Sequence, residues 1–316
     1  MNRSKTIAIV GATGAQGGGL ARAILADRQG EFSVRAITRN RGSESAQKLR
    51  DLGADLVQAD LDDAASVREA FDCAYGAFCV TNFWEHFSPE REQTQASHMA
   101  EAAARAGLEH VIWSTLEDVR RYVPLSDPSI PTLRGKYKVP HFDGKGAIDH
   151  VFTDLGVPTT FMLASFYWEN LIYFGMGPRR AGNGGLVLTF PMATKKLAGI
   201  AAEDIGKAAY GIFRRGPETA GQRIGLAGDH LDGEAMAREL SRAMAREVRY
   251  EPMSFDAFRS LDFPGADDLG NMFQFYCDFE MLVCQSRPVD GSRALNPELQ
   301  SFADWLATNA SRIPVL

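Results

Sequence analysis

Cysteine is scarce in this chain: four in 316 residues, at positions 73, 79, 277 and 284. They form no CxxC pair, and none has a histidine at metal-ligand spacing. A disulfide-stapled scaffold and the common zinc motifs are therefore excluded, and a reducing compartment is the natural setting. Cys79 lies inside an apolar run and is expected in the core. Long hydrophobic runs are also missing. The first one, "TIAIV", has five residues, too short for the apolar part of a signal peptide, and none approaches a membrane span. A cytoplasmic protein is expected, with the nucleus also open to it and no membrane partner. Basic charge is not in excess: 34 Lys and Arg against 40 Asp and Glu leave a net charge of −6. Nucleic-acid surfaces show clustered basic residues, so direct nucleic-acid binding is not expected. Arg120-Arg121 and Arg179-Arg180 read as solvated pairs. Internal repeats and low-complexity tracts are absent from the sequence.

What is present is alternation. Short β-branched and aromatic runs stand at 6–10, 33–38, 54–58, 75–80, 110–114 and 159–163. Their nearly continuous apolar character suits strands buried on both faces of a parallel sheet. Helical stretches separate them at 18–27, 44–53, 65–71 and 89–107, with Gly53 and Gly107 at two helix ends. The pattern predicts an α/β fold, a doubly wound parallel sheet over 1–165, followed by a smaller α+β C-terminal lobe over 166–316, part of which returns to the main sheet. In that lobe helices are expected near 203–214, 232–245, 265–277 and 296–309, and short strands near 186–190, 222–228 and 247–251. Residues 120–140, with several prolines and a basic cluster, read as a flexible loop.

The strongest motif is "IVGATGAQGGG". It places Gly11, Gly14 and Gly17 at G-x-x-G-x-x-G spacing between a strand and a helix. Gly11 permits the tight turn, Gly14 lets the backbone approach a pyrophosphate, and Gly17 allows close helix–sheet packing. The helix N-terminus supplies amide donors to the phosphates. Residues Gly11, Ala12, Thr13, Gly14, Ala15, Gln16 and Gly17 are thus the expected dinucleotide loop. The second strand ends in "ITRN", with Arg39 where an NAD site usually carries an acid. A guanidinium there can pair with a 2′-phosphate, so NADP(H) is the expected cofactor. Asp60 and Leu61 follow the third strand, toward the adenine. Thr81, Asn82 and Phe83 follow the fourth, toward the nicotinamide.

These strings, together with "VTNFWE", "HFDGKG", "FYWENL", "FPGADDLGNMFQFY" and "LNPELQSFADWL", resemble the NmrA-like family, a branch of the atypical short-chain dehydrogenase/reductase-like proteins. The resemblance runs nearly end to end and is nearest to the vertebrate redox-sensor branch. It implies a Rossmann-like domain with a small C-terminal lobe, NADP(H) preference, and a frequent role as a regulator that binds other proteins. It carries cofactor positions onto Gly11 to Gln16, Arg39, Asp60 or Leu61, Thr81 to Phe83, Lys145, and Tyr167, Trp168, Glu169 and Asn170. A basic residue common on the helix after the fourth strand is not evident here, where "EREQTQ" offers only Arg91.

The departure that matters lies in "HFDGK". Short-chain reductases carry Tyr-x-x-x-Lys, in which the tyrosine donates a proton and the lysine holds the nicotinamide ribose. Here His141 stands in the tyrosine's place and Lys145 is kept. Lys145 is expected to contact the cofactor, and it and His141 are the two candidate catalytic groups. Pro140 suggests a loop at His141, and Asp143 a helix cap. Tyr137 has the wrong spacing to Lys145. Ser114 and Thr115 occupy the place of a carbonyl-holding serine but have no tyrosine to work with. Three readings follow: an NADP(H)-binding regulator acting through a protein partner, an NADPH-dependent reductase of quinones or small carbonyl compounds, and a scaffold that keeps the loop without binding. A homodimer is compatible with each.

Overall fold

Each strand expected in the first half of the chain forms in the computed structural model, which describes residues 5–182 and 184–316. In chain order these are β1 (Lys5–Ile9), α1 (Ala15–Ala26), β2 (Phe32–Thr38), α2 (Glu44–Asp51), β3 (Asp55–Gln58), α3 (Ala64–Phe71), β4 (Gly76–Cys79), α4 (Pro89–Ala106), β5 (His110–Thr115), α5 (Pro140–Asp154) and β6 (Thr159–Leu163). Among the described residues they build one seven-stranded sheet in the order β6-β5-β4-β1-β2-β3, with the strand Arg223–Gly225 added beyond β6. The pairings among β1 to β6 are parallel. Strands β4, β5 and β6 are buried at every position. Helices on both faces of the sheet demand this, and it is why the strands read as unbroken apolar runs. The order reverses at the step from β1 to β4, so the loops after these two strands open at the carboxyl edge, where ligands of such sheets bind.

Helix starts follow local chemistry. Ser43, Asp63 and Ser88 each accept a hydrogen bond from a first-turn amide of α2, α3 and α4, and Pro89 sits in the first turn of α4. Gly107 closes α4 in the left-handed conformation. Helix α5 departs from expectation. It begins at Pro140, not after Asp143. Proline's fixed φ and missing N–H suit a first helical position, so His141 lies in the first turn and not in a loop. Asp143 is a fully buried helical residue and not a cap.

The chain divides into two compact units. The first comprises residues up to Asp118, His141–Leu163 and Ile205–Ile224; the second, Val119–Pro140, Ala164–Asp204 and Gly225–Leu316. The core of the first is aliphatic around Ala8, Val10 and Val111, with Trp113 stacked on Phe152 at 5.4 Å between ring centroids.

The second unit contains two three-stranded sheets among the described residues. One is ordered Asp229–Leu231, Leu197–Ile200, Phe166–Tyr167; the other Val248–Tyr250, Leu186–Leu188, Arg179–Arg180. Trp168 packs on Phe302 and Trp305, and Phe273 on Phe166, Phe190 and Phe258. Residues 120–140 are not a free loop. Lys138 Nζ donates to the carbonyls of Asp127 and Ile130 at 2.6 and 2.7 Å, and Asn271 Nδ2 donates to those of Pro131 and Lys138 at 2.8 and 2.6 Å. The helix expected over 296–309 is Phe302–Asn309, preceded by Val289–Leu295. The buried Asp204 carboxylate holds the intervening turn, accepting from Asn296 Nδ2 and the Gln300 amide at 2.9 Å each.

Candidate functional site

The first unit gathers the expected groups other than Tyr167 to Asn170 at the carboxyl edge of its sheet. After β1 the chain turns at Gly11, whose φ of +64° lies in the left-handed region that favours glycine. A Cβ on Gly17 would stand 2.6 Å from the Gly11 carbonyl oxygen and 2.8 Å from that of Val10, so close packing of α1 against the loop requires glycine there. Gly14 is different. It has an extended backbone, and a Cβ would meet the Gly11 oxygen at 3.2 Å, a tight contact but a longer one than at Gly17. Gly14 is also the N-cap of α1. No side chain caps this terminus, and no acidic residue occupies its first turn. The positive end of the helix dipole thus lies at this terminus without a side-chain cap, a fit for a pyrophosphate.

Arg39 follows β2 directly, and both arms of its guanidinium pair with the Glu85 carboxylate. This pairing raises the arginine pKa and lowers that of the glutamic acid. Glu85 closes a short 3-10 turn, Phe83–Glu85, after β4. Asp60 turns its carboxylate onto the Asp62 amide at 3.0 Å, and Leu61 packs on the aliphatic core. Arg91, in the first turn of α4, pairs with Asp62.

Lys145 sits in a buried cluster. Its ammonium donates to Thr81 Oγ1 at 2.5 Å and the Thr81 carbonyl at 3.2 Å, and lies 3.1 Å from Glu92 Oε1. Thr81 Oγ1 donates to the same Glu92 oxygen at 2.6 Å. The Trp113 ring centroid is 5.2 Å from the ammonium. Glu92 Oε2 is buried without a hydrogen-bond partner, and an unmatched acceptor of this kind in a charged cluster calls for an explanation. Two glycines let α5 present this lysine. A Cβ on Gly144 would stand 3.0 Å from Pro89 Cβ, and one on Gly146 would stand 2.4 Å from the Asp118 amide nitrogen. That is the packing content of "DGKG".

His141 lies among aromatic rings, with centroids 4.9 Å from Trp84, 5.8 Å from Phe83 and 4.6 Å from Phe142. Phe83 itself is buried against Trp84 and Phe87, while Asn82 is exposed. The Ser114 hydroxyl donates to Gln16 Oε1 at 2.8 Å, tying β5 to the glycine loop. Thr115 Oγ1 donates to Asp149 Oδ1 at 2.6 Å. Asp149 also accepts from Trp113 Nε1 and Arg223, and burial pushes its carboxyl pKa up.

Tyr167 to Asn170 belong to the second unit. The Trp168 indole is buried there against Phe302 and Trp305. Glu169 accepts from the Ala202 amide at 2.9 Å and from Trp305 Nε1 at 3.0 Å. The Trp168 side chain is committed to the core of that unit, while Tyr167, Glu169 and Asn170 are half-buried. Sequence reasoning did not single out Glu85 or Glu92. Both stand among first-turn acids of short or amphipathic helices, where an acid ordinarily serves the helix dipole. Their partners lie 46 and 53 residues away, and no spacing reveals such a pair. Among the described residues no cluster suited to a metal ion occurs, and no helix is long and apolar enough to cross a membrane.

The chain is 29% identical over 292 residues to an NmrA-like family domain-containing oxidoreductase, FrzB, of Cladobotryum sp, covering 85% of this chain and 83% of the relative. The crystal structure of NmrA, a negative transcriptional regulator, in complex with NADP superposes with a TM-score of 0.78 at 24% identity, over 97% of this chain and 95% of that one. The triphenylmethane reductase of Citrobacter sp., complexed with NADP(H), superposes at 0.74 and 17% identity, over 97% and 99%. The model of the NmrA-like family matches residues 3–306, and the chain belongs to that family.

Proposed function

We propose that this protein is an NADP(H)-binding regulator, a redox sensor that acts through a protein partner and turns its cofactor over poorly. The observation that carries the reading is the state of the groups that would do chemistry. The tyrosine's position is held by His141 in an aromatic setting. The Lys145 ammonium donates to Thr81 and pairs with Glu92. The Ser114 and Thr115 hydroxyls are directed at Gln16 and Asp149. The binding half of the motif remains: an uncapped helix terminus at Gly14, a guanidinium at Arg39, and a lysine beside the loop after β4. When bound, the nicotinamide would supply the redox state to be read. This chain's own part is to hold the phosphates at α1, the 2′-phosphate at Arg39 and the ribose near Lys145. Different affinities of a partner for the two cofactor-bound forms would convert that state into a signal.

The test is calorimetric binding of NADPH, NADP⁺ and NADH to purified protein, followed by an NADPH-oxidation screen on quinones and aldehydes. Tight NADPH binding with slow or absent turnover supports the regulator. The second reading, a reductase, is favoured by the oxidoreductase names of relatives such as FrzB and by the fold shared with a reductase. Rapid NADPH oxidation that collapses in His141→Phe would replace the first reading with the second.

A further inference from the structure

The sheet order β4-β1-β2 places the connection after β4 and the connection after β2 on either side of the strand that feeds the glycine loop. Glu85 lies on the first connection and Arg39 on the second, so their ion pair brackets the dinucleotide loop from both flanks. The pair uses both terminal nitrogens of the guanidinium, the same fork that a phosphate monoester would engage. A 2′-phosphate and the Glu85 carboxylate therefore compete for one set of donors, and they repel each other if both stay close.

We propose that Glu85 is a specificity-determining residue. It is an internal competitor for Arg39 that must be displaced before a 2′-phosphate binds, and it narrows the preference for the phosphorylated dinucleotide over its unphosphorylated counterpart. The proposal rests on the reading of Arg39 as the phosphate contact. Two features make Glu85 suited to the part. It is held on a one-turn element, and a short turn shifts more readily than a strand or long helix. Both partners are also substantially solvated, the Arg39 side chain at 60% and that of Glu85 at 39% exposure. Separation of an exposed ion pair costs little, so the competition is weak enough to be overcome and strong enough to be measured. The Arg91–Asp62 pair, between the first turn of α4 and the loop after β3, keeps a second guanidinium occupied in the same way.

The probes are 2′,5′-ADP and 5′-ADP, which differ in the 2′-phosphate alone, titrated calorimetrically into wild type, Glu85→Gln, Arg39→Ala and the double variant. Glu85→Gln is expected to tighten 2′,5′-ADP by about 3- to 10-fold and to leave 5′-ADP unchanged. Arg39→Ala should weaken 2′,5′-ADP, and in that background Glu85→Gln should lose its effect, because competition requires the shared partner. If Arg39→Ala weakens 2′,5′-ADP while Glu85→Gln changes nothing, the phosphate reading stands and the competitor is overturned. Equal tightening by Glu85→Gln with and without Arg39 also overturns it, since simple removal of a negative charge would then explain the gain. If Arg39→Ala leaves 2′,5′-ADP untouched, the reading of Arg39 fails and the proposal fails with it.

Discussion

At the scale of single residues the glycines of the loop separate by what surrounds them. A Cβ on Gly17 would stand 2.6 Å from backbone oxygen, one on Gly14 3.2 Å from it. Gly17→Ala is expected to disturb the packing of α1 and lower the melting temperature, by an amount on the order of 1–3 kcal/mol of overpacking. Gly14→Val should leave a folded protein that has lost its dinucleotide, because the added side chain stands where backbone and pyrophosphate meet. Thermal melts with and without NADPH read both. A ligand-induced rise in melting temperature that persists in Gly14→Val would show that the cradle lies elsewhere. Arg39→Ala should cut the preference for NADPH over NADH. A charge-assisted hydrogen bond to phosphate is worth about 1.5–3 kcal/mol, though the exposure of Arg39 places the loss near the lower end, about tenfold. Equal affinities of wild type for NADPH and NADH would refute this. Lys145→Ala should weaken NADPH binding whether or not the protein turns over. His141→Phe should change it little, since the ring is already packed among aromatics. A His141→Phe variant that loses binding as fully as Lys145→Ala would contradict that difference.

At the scale of elements, helix and strand existence in the first half was legible because it is local. Alternating apolar runs, serine and aspartate caps and terminal glycines each act within a few residues. The start of α5 was misread for an equally local reason: a proline followed by a buried histidine resembles a loop until the helix that buries them is seen. Segment 120–140 was misread because its anchor, Asn271, lies more than a hundred residues away. Asn271→Ala would remove the two bonds that this fully buried side chain donates to the carbonyls of Pro131 and Lys138, the second of them buried. It is expected to destabilise the second unit by about 2–4 kcal/mol and to expose 120–140 to proteases. Limited proteolysis that leaves this segment intact in the variant would show that the two bonds are dispensable.

At the scale of the whole molecule, pH acts through a histidine that no function uses. His110 begins β5 fully buried, with Nε2 bonded to Thr160 Oγ1 at 2.9 Å, and burial lowers its pKa from 6.5 to about 4. The unfolded chain takes up this proton first, so stability is full above pH 6.5, falls as pH drops toward 4, and is flat below. The whole step is worth about 3 kcal/mol, most of it already lost by pH 5. Asp149 and Glu169, raised by burial, oppose this trend, and a variant comparison removes their contribution. Urea unfolding at pH 7.5 and pH 5 should show a smaller fall in His110→Gln than in wild type, by about 2 kcal/mol. Identical falls would mean that His110 does not titrate in this range.

The sequence by itself determined the doubly wound sheet, the glycine turn between β1 and α1 and the family, since each is written in short contiguous strings whose physics is local. It also carried the loss of the tyrosine and the retention of Lys145. The tertiary structure decided what those side chains touch. Glu92 beneath Lys145, Glu85 on Arg39, Gln16 on Ser114, and Trp168 turned into the core of the second unit are pairings across 46 to 137 residues. Charge and hydrogen bonding act over a few ångströms of space, without regard to position along the chain. The partners therefore became known once the strands that carry them were laid side by side.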